Sequence, residues 1–171
     1  MSMNFSPHLM SVYLTGIASV CSSCSGNLSD HKPNVIIFLA DDMGWGDIGA
    51  NGNPVIKTPV LDSLKVRSLS FDRFYVCPLS APTRSEILTG RYFLRTGVSS
   101  VTRGFENMRT EEVTLAEVLK DNGYATGCFG KWHNGGYYQQ HPNRQGFDEF
   151  VGFCMGHLGY YFNGPFLHND E

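Results

Sequence analysis

Two neighbouring aspartates follow directly on a strongly apolar segment of the chain. Residues 35–40 form a continuous apolar run, which is typical of a strand covered on both faces in a parallel sheet. Asp41 and Asp42 come next, and open parallel sheets bind their ligands beyond the carboxyl ends of the strands. Adjacent carboxylates on a loop are more often simply solvated, but this placement makes them a candidate site for Ca²⁺ or Mg²⁺ rather than zinc.

A second group of reactive side chains lies in the run Ser80-Ala-Pro-Thr-Arg84, which is followed by Thr89-Gly90-Arg91. Taken alone, a serine just before a helix is best explained as a helix cap. A third group is Lys131-Trp-His133, which follows a predicted strand over residues 124–130. Taken alone, such a Lys-x-His sequence is more often an ordinary loop than a catalytic pair.

The elements that must position these residues alternate between helix and strand. Thr58-Pro59 predicts a helix start, with Val60, Leu61 and Leu64 on an apolar face. A second helix is predicted over residues 82–88 and closed by Gly90, and a third begins at the capping box 114–117. Residues 71–76 are a further strand candidate. This alternation predicts an α/β layered fold.

Composition excludes several classes of protein. The 171 residues are 42% hydrophobic and 17% charged, with a net charge of −3, so most of the chain can bury a core and disorder is not expected. The absence of a basic stripe argues against nucleic acid as a partner. No apolar run approaches the ~20 residues needed to span a bilayer.

Residues 1–30 differ from the rest of the chain. A short apolar stretch over residues 9–20 precedes Cys21 and Cys24, which predicts an export leader ending at a lipoprotein cysteine, with a disordered tail as the alternative. Cys77, Cys128 and Cys154 have no zinc-ligand spacing and are interpreted as small buried hydrophobic residues.

Taken together, these segments resemble a type I, formylglycine-dependent sulfatase of the alkaline-phosphatase-like superfamily, in its serine-type form. The resemblance runs from residue 33 to about residue 166. The supporting segments are NVIIFLADDMGWGDIG (34–49), TPVLDSL (58–64), SAPTRSEILTGRY (80–92), GKWH (130–133) and GFDEFVGF (146–153). The resemblance implies an α/β fold that is the N-terminal part of an alkaline-phosphatase-like sandwich, with a mostly parallel central sheet.

The resemblance also implies a reaction. Ser80 would be oxidised to formylglycine, whose hydrated aldehyde carries two hydroxyls, one to attack sulfur and one to expel sulfate after losing its proton. Arg84 would steady the formylglycine, Lys131 would neutralise sulfate charge, and His133 would take the second hydroxyl's proton.

The same resemblance implies partners and a location. Asp41 and Asp42, together with the modified Ser80, would hold a divalent cation, Ca²⁺ rather than Mg²⁺. A sulfatase-maturing enzyme would act on residues 80–84, and a serine there points to a bacterial, oxygen-independent system. The expected substrate is a sulfated small molecule or carbohydrate. The expected location is the periplasm, free or as a membrane-anchored lipoprotein.

Residues that the family places in its later half are not found. These are an Asp-Asn or Asp-Gln metal pair and a further histidine and lysine, so residues 31–171 are expected to be the N-terminal portion of a catalytic domain and inactive alone. Two alternatives stay open. One is a phosphodiesterase or phosphonate monoester hydrolase of the same superfamily, and the other is a non-catalytic truncated remnant.

Overall fold

The computed structural model describes residues 32–159, 164, 166–169 and 171, so the predicted leader over residues 1–30 lies outside the described residues. The chain divides into two compact units, Met1–Ala40 and Asp41–Glu171. In the first unit, residues 32–40 have no regular secondary structure and their side chains are exposed. The strand predicted over residues 35–40 is therefore not formed, because a strand needs a neighbour to satisfy its N–H and C=O groups and no described strand pairs with it.

The second unit holds the helices and strands. The helices are α1 (Pro59–Arg67), α2 (Ser80–Thr89) and α3 (Leu115–Asp121), and the strands are β1 (Gly127–Lys131), β2 (Glu149–Phe153) and β3 (Leu167–His168). Short 3₁₀ turns occur at Trp45–Asp47, Gly49–Asn51, Phe93–Thr96, Tyr138–Gln140 and Pro142–Arg144. Within the part of the chain described above, no helix is long and apolar enough to cross a membrane.

The three predicted helices are all present, and the start signals of α1 and α3 explain where these two begin. Pro59 follows the N-cap Thr58 at the start of α1. In α3 the Thr114 hydroxyl accepts from Glu117 N at 3.2 Å and the Glu117 carboxylate accepts from Thr114 N at 2.7 Å, so the predicted capping box is confirmed. The apolar side of α1, however, is exposed rather than packed.

The described sheet is small and mixed. β1 and β2 run parallel, with Lys131 opposite Phe153, and β3 pairs antiparallel with β2. The strand predicted over residues 71–76 is not formed, since the segment is turn and irregular chain in the structure. The strand predicted over residues 124–130 is confirmed as β1. The α/β class is thus confirmed, with one parallel and one antiparallel strand pair in the described part.

The core combines residues of α2 and β2 with residues of the loops between the elements. Its buried members are Ala81, Val98, Met108, Trp132, Phe150 and Cys154. Burying a side chain such as that of Phe150 contributes about 1.5–3 kcal/mol. Outside this cluster, Arg91 Nη1 donates to both carboxylate oxygens of the buried Glu112, at 2.8 and 2.7 Å. This ion pair joins the segment after α2 to the segment before α3.

Candidate active site

Ser80 is the first residue of α2, and its hydroxyl is held by two other side chains. Leu79, not Ser80, occupies the N-cap position, and no side chain caps the helix there. Arg84 Nε donates to Ser80 Oγ at 3.2 Å, one helical turn further on. His133 Nδ1 lies 3.1 Å from the same oxygen. The capping explanation for Ser80 therefore fails, and its oxygen is the point at which three predicted site residues meet.

His133 is buried, and its ring is oriented by a backbone carbonyl. The ring nitrogen Nε2 lies 2.9 Å from Val101 O, which can only accept, so Nε2 carries a proton and donates to it. In the neutral imidazole Nδ1 then has a lone pair that accepts the Ser80 hydroxyl proton. The backbone of His133 has φ +61°, a left-handed conformation that is uncommon outside glycine and frequent at functional sites.

Burial lowers the pKa of His133, and several charged or polar groups modify that effect. The positive charges of Lys131 and Arg84 lower the pKa further, whereas the Val101 carbonyl and the Glu106 carboxylate raise it. The net direction is below the ordinary value for histidine. The imidazole is therefore mainly neutral at neutral pH and available as a proton acceptor toward Ser80.

Two cationic side chains converge near Ser80 on the Asp41 carboxylate. Lys131 Nζ donates to Asp41 Oδ1 at 3.2 Å and to Oδ2 at 3.0 Å, and Arg84 Nη2 lies 3.8 Å from Oδ1. Arg84 Nη1 also donates to the carbonyl of Lys131 at 2.6 Å. Burial lowers the pKa of Arg84 and Asp41 opposes that shift, but a guanidinium stays charged in proteins. The arrangement concentrates positive charge around one carboxylate.

The donor chemistry of the aspartate pair fits a hard cation, although the coordination is incomplete. The Asp41 side chain is 47% exposed, and its oxygens keep lone pairs beyond those that Lys131 engages. Asp42 is exposed and has φ +59°. Among the residues that the structure describes, no group of three or more His, Cys, Asp or Glu side chains is placed to hold a metal ion. Asp41 and Asp42 therefore supply only part of the six to eight oxygens that Ca²⁺ takes.

Two of the three cysteines in the described residues, Cys128 and Cys154, do not compete with Ser80 as nucleophiles. Cys77, Cys128 and Cys154 are free thiols. Burial raises the pKa of Cys128 and of Cys154 to about 11, so both stay protonated and unreactive at neutral pH. For Cys128 and Cys154, the interpretation as small buried hydrophobic residues agrees with their surroundings.

A cavity of about 810 Å³ opens beside His133. Its walls come from residues 101–104, 106–107 and 153–158 among others, and they include Glu106, Tyr137 and Gly156. Sequence reasoning missed Val101, Glu106 and Gly156 as site residues. Val101 acts through its backbone, so its residue type carries no signal, and the other two are ordinary loop residues until the fold brings them to His133.

Comparison with known proteins identifies the family. Residues 33–161 match the Sulfatase family, so the chain belongs to the sulfatases. Human arylsulfatase G is 43% identical over 139 residues, covering 78% of this chain and 26% of that protein. Canine N-acetylgalactosamine-6-sulfatase is 40% identical over 142 residues, covering 77% of this chain and 27% of that protein. The chain thus spans about a quarter of the length of these curated relatives.

Solved structures show the same fold. The crystal structure of Ps i-CgsB in complex with κ-ι-κ-neocarrahexaose superposes with a TM-score of 0.74 at 34% sequence identity. The superposition covers 82% of this chain and 37% of that chain. The structural neighbours have the alkaline-phosphatase-like fold, which confirms the fold expected from the sequence motifs.

Proposed function

We propose that the native protein hydrolyses sulfate esters, with Ser80 supplying the nucleophile after conversion to formylglycine. The observation that carries the proposal is the contact of Ser80 Oγ with both Arg84 and His133, in a chain that belongs to the sulfatases. The curated relatives described above are sulfatases, which favours sulfate esters over the phosphodiesters or phosphonate monoesters of the alternative hypothesis.

Arg84 and Lys131 prepare the site for an anion. Arg84 donates to the oxygen on residue 80 and fixes its direction, while its positive charge stabilises negative charge that develops there. The Lys131 ammonium, now paired with Asp41, supplies a second positive charge that a sulfate group can share. Both side chains are largely buried, which strengthens their electrostatic effect.

His133 moves the proton. Its Nδ1 lone pair faces the oxygen on residue 80, and the Val101 carbonyl holds the opposite nitrogen in the donating form. A hydroxyl at residue 80 therefore loses its proton to Nδ1. The hydrated aldehyde at residue 80, when formed, supplies a second hydroxyl through which sulfate can be released and the aldehyde restored.

Asp41 and Asp42 are the residues that would hold the cation, which we propose to be Ca²⁺ because carboxylate oxygens are its preferred ligands. The bound cation would stabilise charge on the transferring sulfate. A maturing enzyme that acts on residues 80–84 would install the aldehyde. The action of this maturing enzyme and the binding of the cation are both part of the proposal.

A sulfated carbohydrate is the substrate class that we propose. One relative is named for a sulfated sugar, N-acetylgalactosamine-6-sulfatase, and one structural neighbour was solved with a neocarrahexaose. We also propose export to the bacterial periplasm, free or lipid-anchored, on the basis of the leader-like residues 1–30.

The test is turnover of para-nitrophenyl sulfate by the native protein after mass spectrometry has verified the aldehyde at residue 80. Ser80→Ala should abolish turnover while the circular dichroism spectrum stays unchanged, because only the nucleophilic oxygen is lost. Ser63→Ala, an exposed serine of α1, is the matched control and should keep full activity.

Two results would contradict the proposal separately. Absence of turnover in the aldehyde-bearing protein would overturn sulfate ester hydrolysis of this substrate type. Substantial turnover by Ser80→Ala would overturn the assignment of the nucleophile. A higher rate on the matched aryl phosphate ester would favour the phosphodiesterase or phosphonate hydrolase alternative.

A further inference from the structure

His133 has a backbone conformation that the surrounding structure must hold in place. Its φ is +61°, and a non-glycine residue keeps such a left-handed conformation only where its neighbours fix the backbone. Two hydrogen bonds fix the side that faces β2, since Trp132 N donates to Phe153 O at 2.9 Å and His133 N donates to Cys154 O at 3.1 Å. The backbone after His133 is held by other groups.

Gln140 is connected by hydrogen bonds to the chain on both sides of His133. Its backbone carbonyl accepts from the indole Nε1 of Trp132 at 3.0 Å. Its side-chain Nε2 donates to Met108 O at 3.0 Å, and Met108 N in turn donates to Asn134 O at 3.1 Å. Gln140 therefore anchors the residue before His133 directly and the residue after it through Met108.

The side chain of Gln140 also packs against the backbone two residues after His133. A Cβ atom added at Gly135 would overlap Oε1, Cβ and Cδ of Gln140, so the two residues are in close contact. Trp132 is 2% and Asn134 0% exposed, and both are therefore surrounded by packed atoms. Residues 132–135 have little freedom to shift while Gln140 stays in place.

We propose that Gln140 is a positioning residue for His133, the proposed proton acceptor. This inference rests on the proposed sulfatase function. Gln140 acts only through His133, because its contacts hold the backbone from which the imidazole projects. They keep Nδ1 at the 3.1 Å from Ser80 Oγ that proton transfer requires. The binding of sulfate by Arg84 and Lys131 does not depend on these contacts.

Gln140→Met in the native, aldehyde-bearing protein tests the proposal. Methionine is unbranched and flexible, so it fills a similar space and keeps the backbone carbonyl that Trp132 contacts. The side-chain donor is lost, but so is Oε1, a buried oxygen without a hydrogen-bond partner among the described residues. The urea midpoint should therefore change little.

We expect Gln140→Met to lower kcat/KM for para-nitrophenyl sulfate about tenfold. A displacement of about 1 Å in a catalytic group costs about a hundredfold, and the loss of one anchor among several allows a smaller shift. Inorganic sulfate should still bind with wild-type affinity and stoichiometry in calorimetry, which a partly unfolded protein would not show. Gln139→Met, at an exposed neighbouring glutamine, is the matched control and should change neither quantity.

The outcomes separate this proposal from the sulfatase function itself. A wild-type kcat/KM in Gln140→Met would overturn the positioning role, and so would a parallel loss of sulfate affinity, since the whole site would then be disturbed. Absence of Ser80-dependent turnover in the wild type would instead overturn the proposed function. Trp132→Phe removes the other contact with Gln140 but keeps a ring against Phe147. It should give the same loss of rate with sulfate binding retained if Gln140→Met does not fold.

Discussion

At the scale of single residues, the space around His133 depends on a glycine. A Cβ atom added at Gly156 would overlap Nε2 and Cε1 of the His133 ring, whereas one added at Gly159 would meet no atom. Neither glycine has a positive φ, so alanine fits the backbone at both positions. The expected difference between alanine at Gly156 and alanine at Gly159 is therefore steric, and the nearest atoms at Gly156 are those of the His133 imidazole.

We accordingly expect Gly156→Ala to lower kcat/KM for para-nitrophenyl sulfate by about a hundredfold, because a displacement of about 1 Å in a catalytic group has an effect of this size. Gly159→Ala should leave the rate unchanged. Urea denaturation of both variants would show whether either loses stability. Equal rates for the two variants would show that the ring has room to move.

The residue scale also shows what sequence could and could not predict about the site. Local motifs contain four of the predicted site residues, and the residue types in these motifs indicate their chemistry. The fold brings all four together: Ser80, Arg84, Lys131 and His133. Glu106 and Gly156 are not in such motifs, because their importance arises only from loops that fold against His133. The catalytic roles of the predicted residues stay predictions until the assays described above are made.

At the scale of elements, Asp148 connects α3 to the start of the sheet. Its Oδ1 lies 2.6 Å from Lys120 Nζ at the end of α3, and its Oδ2 accepts from Thr126 N and Thr126 Oγ1, both at 3.0 Å. The bond to Lys120, followed by those to Thr126, lowers the pKa of Asp148 from 3.8 to about 2. One carboxylate thus joins three segments that approach β1 and β2.

The pKa of Asp148 sets the pH at which its contribution to the stability of the fold is lost. The folded state binds the Asp148 proton more weakly than the unfolded state, so the stabilisation is complete above the unfolded pKa of about 3.8 and disappears as pH falls through about 2. The difference in urea midpoint between wild type and Asp148→Asn should therefore shrink from about pH 5 to about pH 2. Asp121→Asn, on the exposed side of α3, should show no such trend, and a pH-independent difference for Asp148→Asn would contradict the assignment.

Helices with local start signals were predictable, whereas of the three strands predicted over residues 35–40, 71–76 and 124–130 only the last is formed, as β1. The capping box at Thr114 and the proline after Thr58 act within their own helices, so sequence alone indicates where α1 and α3 begin. Residues 35–40 have the composition of a buried strand, but a strand exists only when another strand accepts its hydrogen bonds. The composition of that segment indicates a preference for the strand conformation, but the described residues contain no strand that pairs with it.

At the scale of the whole molecule, the second unit exposes large apolar side chains along and after α1. Val60 is 79%, Val66 85% and Leu69 80% exposed. Clusters of exposed apolar side chains promote association.

We expect the 171-residue chain, when purified alone, to self-associate and to bind the dye ANS. The double substitution Val60→Lys with Val66→Lys should raise the monomer fraction measured by light scattering. A wild-type chain that is monomeric and does not bind the dye would contradict this expectation.

The contact between the Val101 carbonyl and His133 has a consequence for how this chain tolerates substitution. Every residue type has the same carbonyl group, so the side chain at position 101 can change without removing the acceptor that holds the imidazole. Side chains in the loop over residues 101–107 can therefore change while the Val101 carbonyl still holds the His133 imidazole, the proposed proton acceptor, in place. Substrate preference and catalytic competence can evolve separately in the same short loop.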